Sequence, residues 1–356
     1  NAPWFDTPDQ FDHRRLRVAD IDGTGTTDIL YLHRRGVRVY FNQSGNSWSA
    51  PTAIDAFPML DNVVGIQALD LLGNGTACLV WSSPLQADAR RPVRYLDLMG
   101  GQKPHLLVRT VNNLGAETIV EYAPSTKFYL LDKQAGQPWA TKLPFPVHCV
   151  ERVTVFDKWR QVRFATTYSY HHGYFDGPER EFRGFGRVEQ VDAEDYGTFA
   201  ATNSNSGFIT EDKRLFQPPV KTVTWFHTGA FLDRERILSQ FRQEYFSAKL
   251  KALGSNFTEC DLSEPDLDSL DLSNEEWREA LRACKGMTLR QETYELDVHG
   301  LAAGEQRQVK IFTAAAHNCH IHLVQPRGGN QHAVFHVTES EALTYHYELA
   351  LVSEST

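Results

Sequence analysis

The sequence predicts a mainly β chain in two parts, the end of a β-propeller and then strand-dense antiparallel sheet, with a short helical insertion. Three observations predict it. First, Asp20-Ile-Asp-Gly-Thr-Gly-Thr-Thr-Asp28 aligns with Asp70-Leu-Leu-Gly-Asn-Gly-Thr-Ala-Cys78, an offset of 50 residues from Asp20 to Asp70. A repeat that long with only strand signals between its copies has the spacing of propeller blades. Second, from Arg94 onward apolar residues recur mostly at every second position, the period of a half-buried strand. Third, helical spacing is confined to one region, where Ile237, Leu238, Phe241, Tyr245 and Phe246 precede a capping box at Ser273 and Glu276.

Taken in order, residues 1–100 hold the two repeats, with Val37-Arg-Val-Tyr-Phe41 as an alternating strand and a turn through Trp48. Two blades cannot close a propeller, which needs about four or more, so the missing blades are expected in sequence outside the chain and both ends read as cut. From Arg94, and through residues 101–230, the chain reads as sheet: strands at 95–98, 106–111, 117–122 and 128–131, a turn at Asn112-Asn-Leu-Gly115, a proline-bounded crossing at 139–146, and strands at 148–156, 160–170 and 184–191. Residues 192–219 are polar, with a loop expected at 202–207, before a strand at 220–227. Residues 231–286 form the helical insertion, one helix over 233–250 and a second whose stripe is Trp277, Leu281 and Cys284. The acidic stretch between them, 259–271, reads as a solvated linker because leucines and a proline break it. Residues 287–356 return to sheet, with strands at 289–296, 308–312, 320–325, 332–337 and 343–351 and a turn at Arg327-Gly-Gly-Asn330.

Composition excludes several classes. With 41% hydrophobic and 23% charged residues the 356-residue chain can build real cores. A net charge of −9 and no dense Lys/Arg block argue against nucleic acid as a partner. Cys78, Cys149, Cys260, Cys284 and Cys319 show no C-x-x-C spacing, so they read as buried thiols. No segment approaches the ~20 apolar residues of a membrane span, and direct membrane insertion is not expected.

The first acidic loop places Asp20, Asp22, Thr24, Thr26 and Asp28 at alternate positions of a glycine-bearing turn, as a Ca²⁺ site built from hard oxygens requires. The same spacing also suits a turn held by Asx hydrogen bonds. In the second copy Leu72 and Cys78 replace carboxylates, so no metal is expected there. The hairpin Thr-Thr-Tyr168-Ser-Tyr170-His-His-Gly-Tyr174-Phe-Asp-Gly-Pro-Glu-Arg-Glu-Phe182-Arg-Gly-Phe185 is expected to line one face with aromatics. His171, His172, Asp176, Glu179 and Glu181 can be drawn as an acid/base cluster for glycoside hydrolysis, or as a charged hairpin rim. His317, His320, His322, His332 and His336 can be drawn as a zinc or copper site, or as surface polar pairs. No G-x-S-x-G, H-E-x-x-H, P-loop or full G-x-G-x-x-G motif occurs.

That tyrosine-rich hairpin resembles those of Rhs/YD-repeat proteins. Its continuation, Tyr168 to Glu189, resembles a signature segment of the B component of bacterial insecticidal toxin complexes. Further matches follow in order: both Asp-Gly loops, which look like FG-GAP/VCBS blades, then Val111-Asn-Asn-Leu-Gly115 with Tyr122-Ala-Pro-Ser-Thr126, Pro144-Phe-Pro-Val147, Trp225-Phe-His-Thr-Gly229, and Gln325-Pro-Arg-Gly-Gly-Asn-Gln-His-Ala-Val334 with Leu343-Thr-Tyr-His-Tyr347. The resemblance implies a non-enzymatic protein: the end of an FG-GAP/VCBS-type propeller followed by a curled antiparallel shell of the Rhs/YD type. A C component completes the shell around a toxic effector, and the propeller docks on an A-component pore and gates release. Assembly in the cytoplasm before release is implied as well. A cell-surface adhesion or carbohydrate-binding module of FG-GAP plus YD-repeat type is the alternative.

Overall fold

The computed structural model describes residues 3–33, 36–55, 58, 63–159, 162–194, 219–252, 257–262, 265, 267, 271–297, 300, 301 and 305–351. The expected loop at 202–207 lies outside them. The chain divides into two compact units, Asn1–Leu107 with Phe145–His148, and Val108–Pro144 with Cys149–Thr356. It is mainly antiparallel β, and its sheets are open.

In the first unit β1 (Leu16–Ala19), β2 (Asp28–His33), β3 (Gly36–Tyr40) and β4 (Thr52–Ile54) form a meander in that order. A second meander follows from β5 (Gly65–Leu69), β6 (Cys78–Ser82) and β7 (Val93–Asp97). In each, the Asp-Gly loop joins the first strand to the second. One core holds both, with Ile21, Leu30, Leu32, Val37 and Val39 against Ile66, Leu79 and Trp81. The alternation of β3 therefore works as expected: Val37 and Val39 are buried and Arg38 between them is not.

The second unit is built on one nine-stranded sheet whose spatial order is its chain order: β8 (Arg109–Val111), β9 (Ala116–Pro124), β10 (His148–Asp157), β11 (Val162–Asp176), β12 (Glu181–Glu194), β13 (Val220–Phe226), β14 (Thr288–Leu296), β15 (Gln308–Gln325) and β16 (Val334–Ala350). Among the described residues its helices are α1 (Ser125–Gln134), α2 (Arg234–Glu244), α3 (Phe246–Ala252) and α4 (Asn274–Ala283). Ile237, Leu238, Phe241, Phe246 and Leu250 from α2 and α3 pack on Val223, Trp225, Tyr294 and Ile311 of the sheet. Ala280 and Leu281 of α4 pack on Cys319 and Ile321. The capping box of α4 is complete, Ser273 accepting from the Glu276 amide and Glu276 accepting from the Ser273 amide.

Four expectations are corrected. Phe128–Leu131 is not a strand but lies inside α1; Pro124 precedes the first turn, and of the four apolar residues only Phe128 is buried. A short apolar run does not by itself distinguish strand from helix. The single helix over 233–250 is two helices, because Tyr245 is extended and the Phe246 amide donates to Glu292 Oε1 at 2.8 Å. The strands expected at 308–312 and 320–325 are one strand, β15, and those at 332–337 and 343–351 are one strand, β16. Thr313–His317 reads poorly as strand because alanine has low β propensity, but Ala314 pairs with Tyr345 and Ala316 with Leu343, and register shifts near Ile311, His317 and Leu323 absorb the irregularity. Finally, the acidic linker is not wholly solvated: Glu259 and Leu267 are buried.

Candidate functional site

The β1–β2 loop gathers Asp20, Asp22 and Asp28 with one ligand oxygen of each within 4.8 Å of the others. Gly23 and Gly25 take positive φ, which lets the turn fold back on itself. Asp28 is fully buried; its two oxygens accept from the Ile21 amide at 2.9 Å and the Asn42 amide at 2.8 Å. Asp20 accepts from the Thr24 amide at 3.1 Å and the Gly25 amide at 2.8 Å, while Asp22 also accepts from Thr24 at 3.1 Å. The Thr24 and Thr26 hydroxyls lie 2.9 Å apart. Burial pushes the Asp28 carboxyl up, the two amide bonds oppose this, and Asp22 and Asp20 add to the rise. Three carboxylates and two hydroxyls are a hard-oxygen donor set that fits Ca²⁺. In the second loop Asp70 makes the same bonds, to Asn74 at 3.0 Å and Gly75 at 2.8 Å, without the other carboxylates. The turn geometry therefore comes from amide capping, and only the first loop adds the charge.

The β11–β12 hairpin carries Tyr168, Tyr170, Tyr174, Phe182 and Phe185. A register shift between Gly173 and Phe175 interrupts the alternation, with Gly184 and, unusually for a buried side chain, His172 at positive φ. The aromatics consequently divide. Phe185 joins Tyr170 at 5.0 Å, Phe182 at 5.6 Å and Trp139 at 6.2 Å, and Tyr170 joins Phe128 at 5.5 Å. Tyr174 instead enters the cluster of Ile237 and Phe241. Tyr168 is half-buried opposite Gln190, and burial raises its phenol, as it raises those of Tyr170 and Tyr174 to about 12. Gly186 has to be glycine, since a Cβ there would lie 2.5 Å from the Phe241 ring.

Beside these aromatics lies a lattice of buried and half-buried charge. Glu244 at the end of α2 accepts from His172 Nε2 at 2.9 Å, Arg187 at 2.8 Å, Gln240 at 3.0 Å and Trp225 Nε1 at 3.2 Å. His172 Nδ1 accepts from the Ala140 amide at 3.1 Å, which assigns the ring proton to Nε2. Glu189 sits 2.7 Å from Arg187 and 2.6 Å from Lys221. Arg290 grips Glu259 at 2.6 and 2.9 Å and Glu292 at 2.6 Å, and the Tyr294 hydroxyl donates to Glu292 at 2.5 Å. Burial alone would raise Glu189, but Lys221 and Arg187 outweigh it and hold the carboxyl at about 2. Glu244 is likewise lowered against burial by His172 and Arg187. Arg187, Glu189, Trp225, Glu244 and Tyr294 line a cavity of about 340 Å³.

The other drawn clusters resolve into ion pairs. Asp176 meets Arg183, Glu179 meets Arg278 at 3.0 Å, and Glu181 meets Arg282 at 3.1 Å and Lys285 at 3.0 Å. Burial raises Glu181, but Lys285 and Arg282 hold it below its usual value, the opposite of what a general acid for glycoside hydrolysis requires. Of the histidines, His317 pairs with Glu339 at 2.7 Å and His332 with Glu279 at 2.8 Å, while His322 stands opposite His336. Among the described residues the acidic loop, and no histidine group, brings three metal-ligating side chains together.

Sequence reading missed the lattice. Its signal was there: Arg187-x-Glu189-x-Val191, Lys221-x-Val223-x-Trp225 and Arg290-x-Glu292-x-Tyr294 put charges in phase with the core residues of their strands.

Residues 42–228 match the model of the insecticide toxin TcdB middle/N-terminal region, and residues 279–351 that of the TcdB middle/C-terminal region. No curated protein matches the sequence. Among solved structures the chain is similar to TcdB2-TccC3, with a TM-score of 0.69 and 25% identity over 97% of this chain and 16% of that one. Against TcdB2-TccC3-Cdc42 the values are 0.69 and 25%, over 96% and 15%. Against the Photorhabdus luminescens Tc holotoxin pore they are 0.71 and 26%, over 97% and 15%. The chain thus spans about a sixth or less of the chains it resembles.

Proposed function

The chain belongs to the TcdB insecticide-toxin family, and from this premise we propose that it is a segment of a toxin-complex B component that works by containment. The sheet of the second unit is part of a shell of the Rhs/YD type. A C component completes that shell around a toxic effector chain. The two meanders of the first unit are FG-GAP/VCBS-type blades of a propeller that docks on an A-component pore and gates release. The protein makes and breaks no bonds in this role and leaves the cell within the assembled complex. None of the described helices is long and apolar enough to cross a membrane.

The observation that carries this reading is the likeness over 97% of the chain to TcdB2-TccC3, with both family regions matched in order. Physical chemistry supports it. A nine-stranded sheet with β8 and β16 at its ends leaves edge amides and carbonyls that need continuing strands, and a closed wall removes such edges. Calcium at Asp20, Asp22, Thr24, Thr26 and Asp28 would offset most of the negative charge of the first blade loop. The test is co-expression of the full-length protein with its C component, followed by electron microscopy. A closed hollow particle is expected; two compact proteins that never associate would overturn the reading.

A further inference from the structure

Cys284 and Cys319 come from distant parts of the chain, yet their sulfurs lie 3.9 Å apart. Cys284 is the C-cap residue of α4 and is fully buried; Cys319 lies at a register shift in β15 and is nearly so. Both belong to the apolar cluster that seats α4 on the sheet, together with Ala280, Leu281 and Ile321. Access is one-sided. Cys319 lines a cavity of about 90 Å³ that also reaches the exposed Cys260, whereas Cys284 does not line it.

We propose that Cys284 and Cys319 form an oxidation site that closes to a disulfide when the protein meets a peroxide, stapling α4 to β15. A cavity of that size has ample room for hydrogen peroxide beside Cys319. The Cys319 thiolate attacks one peroxide oxygen: an S–O bond forms, the O–O bond breaks, and hydroxide leaves to be protonated. The Cys284 thiolate then attacks the Cys319 sulfur of the resulting sulfenic acid; the S–S bond forms, the S–O bond breaks, and a second water leaves. Two thiols lose two electrons and two protons, and one hydrogen peroxide becomes two waters. The sulfurs must approach by about 2 Å to reach bonding distance. The helix end and the irregular strand position are where such a shift is easiest.

The staple spans 35 residues of sequence and includes β14 and the first two thirds of β15, so it constrains the unfolded chain substantially. The test uses the full-length protein treated with hydrogen peroxide, quenched with catalase, unfolded, alkylated and mapped by mass spectrometry. A peptide pair joining Cys284 to Cys319, absent after dithiothreitol, is expected. The transition of the second unit should rise by roughly 5–10 °C in the oxidised protein. That rise should be missing in Cys319→Ser and in Cys284→Ala. Complete alkylation of both thiols after peroxide, a link from Cys319 to Cys260 instead, or over-oxidation of Cys319 without cross-linking would overturn the proposal. The mapping needs no variant, so a misfolded substitution cannot decide it.

Discussion

Two groups of buried and half-buried carboxylates are handled in opposite ways. At the start of β2, Asp28 meets amide donors and two more acids, and burial and repulsion favour its neutral form. Under α2 and α3, Glu189, Glu244, Glu259 and Glu292 are surrounded by Arg187, Lys221 and Arg290, which favour the charged form. Hydrogen bonds satisfy oxygens in both places, but only fixed opposite charge makes ionisation favourable at depth. The loop gathers acids without a fixed counter-charge among them, and the lattice has built its cations into the strands.

The comparison breaks most readily at Arg290. Arg290→Met strands Glu259 and Glu292 without their cation, and a loss of about 3–5 kcal/mol is expected in urea unfolding of the second unit. Acid should separate the two regions by sign. Glu189 falls from an ordinary 4.5 to about 2 on folding, so its stabilisation is complete above 4.5 and is lost as pH drops toward 2, on the order of 3 kcal/mol. Asp28 is raised on folding, so its ionisation costs stability as pH rises through its folded value, and mild acid should relieve that cost. Thermal melts of wild type and Glu189→Gln across that window check the first sign, and Asp28→Asn the second. Asp28→Ala leaves the Ile21 and Asn42 amides unmet and should cost about 1–3 kcal/mol in the first unit, more than Asp70→Ala, whose carboxylate is exposed. The smallest effect sharpens the contrast: millimolar calcium should raise the first unit's transition by a few degrees, leave the second unchanged, and do nothing to Asp28→Asn. Equal responses of both units, or none after chelation, would remove the metal reading.

A third contrast lies in the hairpin. Gly186→Ala drives a methyl into the fully buried Phe241 ring and should destabilise the second unit by about 1–3 kcal/mol, whereas Gly177→Ala, with open space around it, should be close to neutral.

Much of the fold was legible because strands, turns and caps are local. The alternation at Val37 and Val39, the Asp-Gly loops at a 50-residue offset from Asp20 to Asp70, and the box at Ser273 and Glu276 each encode their own geometry within a few residues. The gathering of Asp20, Asp22 and Asp28 was legible for the same reason, since all three lie within one turn. The lattice was half legible: its charges stood in phase with core positions, but their partners did not. Glu244 and Arg187 are 57 residues apart, and Arg290 and Glu259 are 31 apart.

What the sequence determined by itself, then, is the period of each segment and the type of each turn. Tertiary structure alone decided that 125–134 coils rather than extends, that Glu292 takes the Phe246 amide and breaks a helix at Tyr245, that β15 runs through its alanines, and that two distant thiols meet. The reason is physical: backbone preferences differ by about a kilocalorie per residue or less, so wherever local signals are that weak, the burial of a ring or the pairing of a charge across the sheet outweighs them.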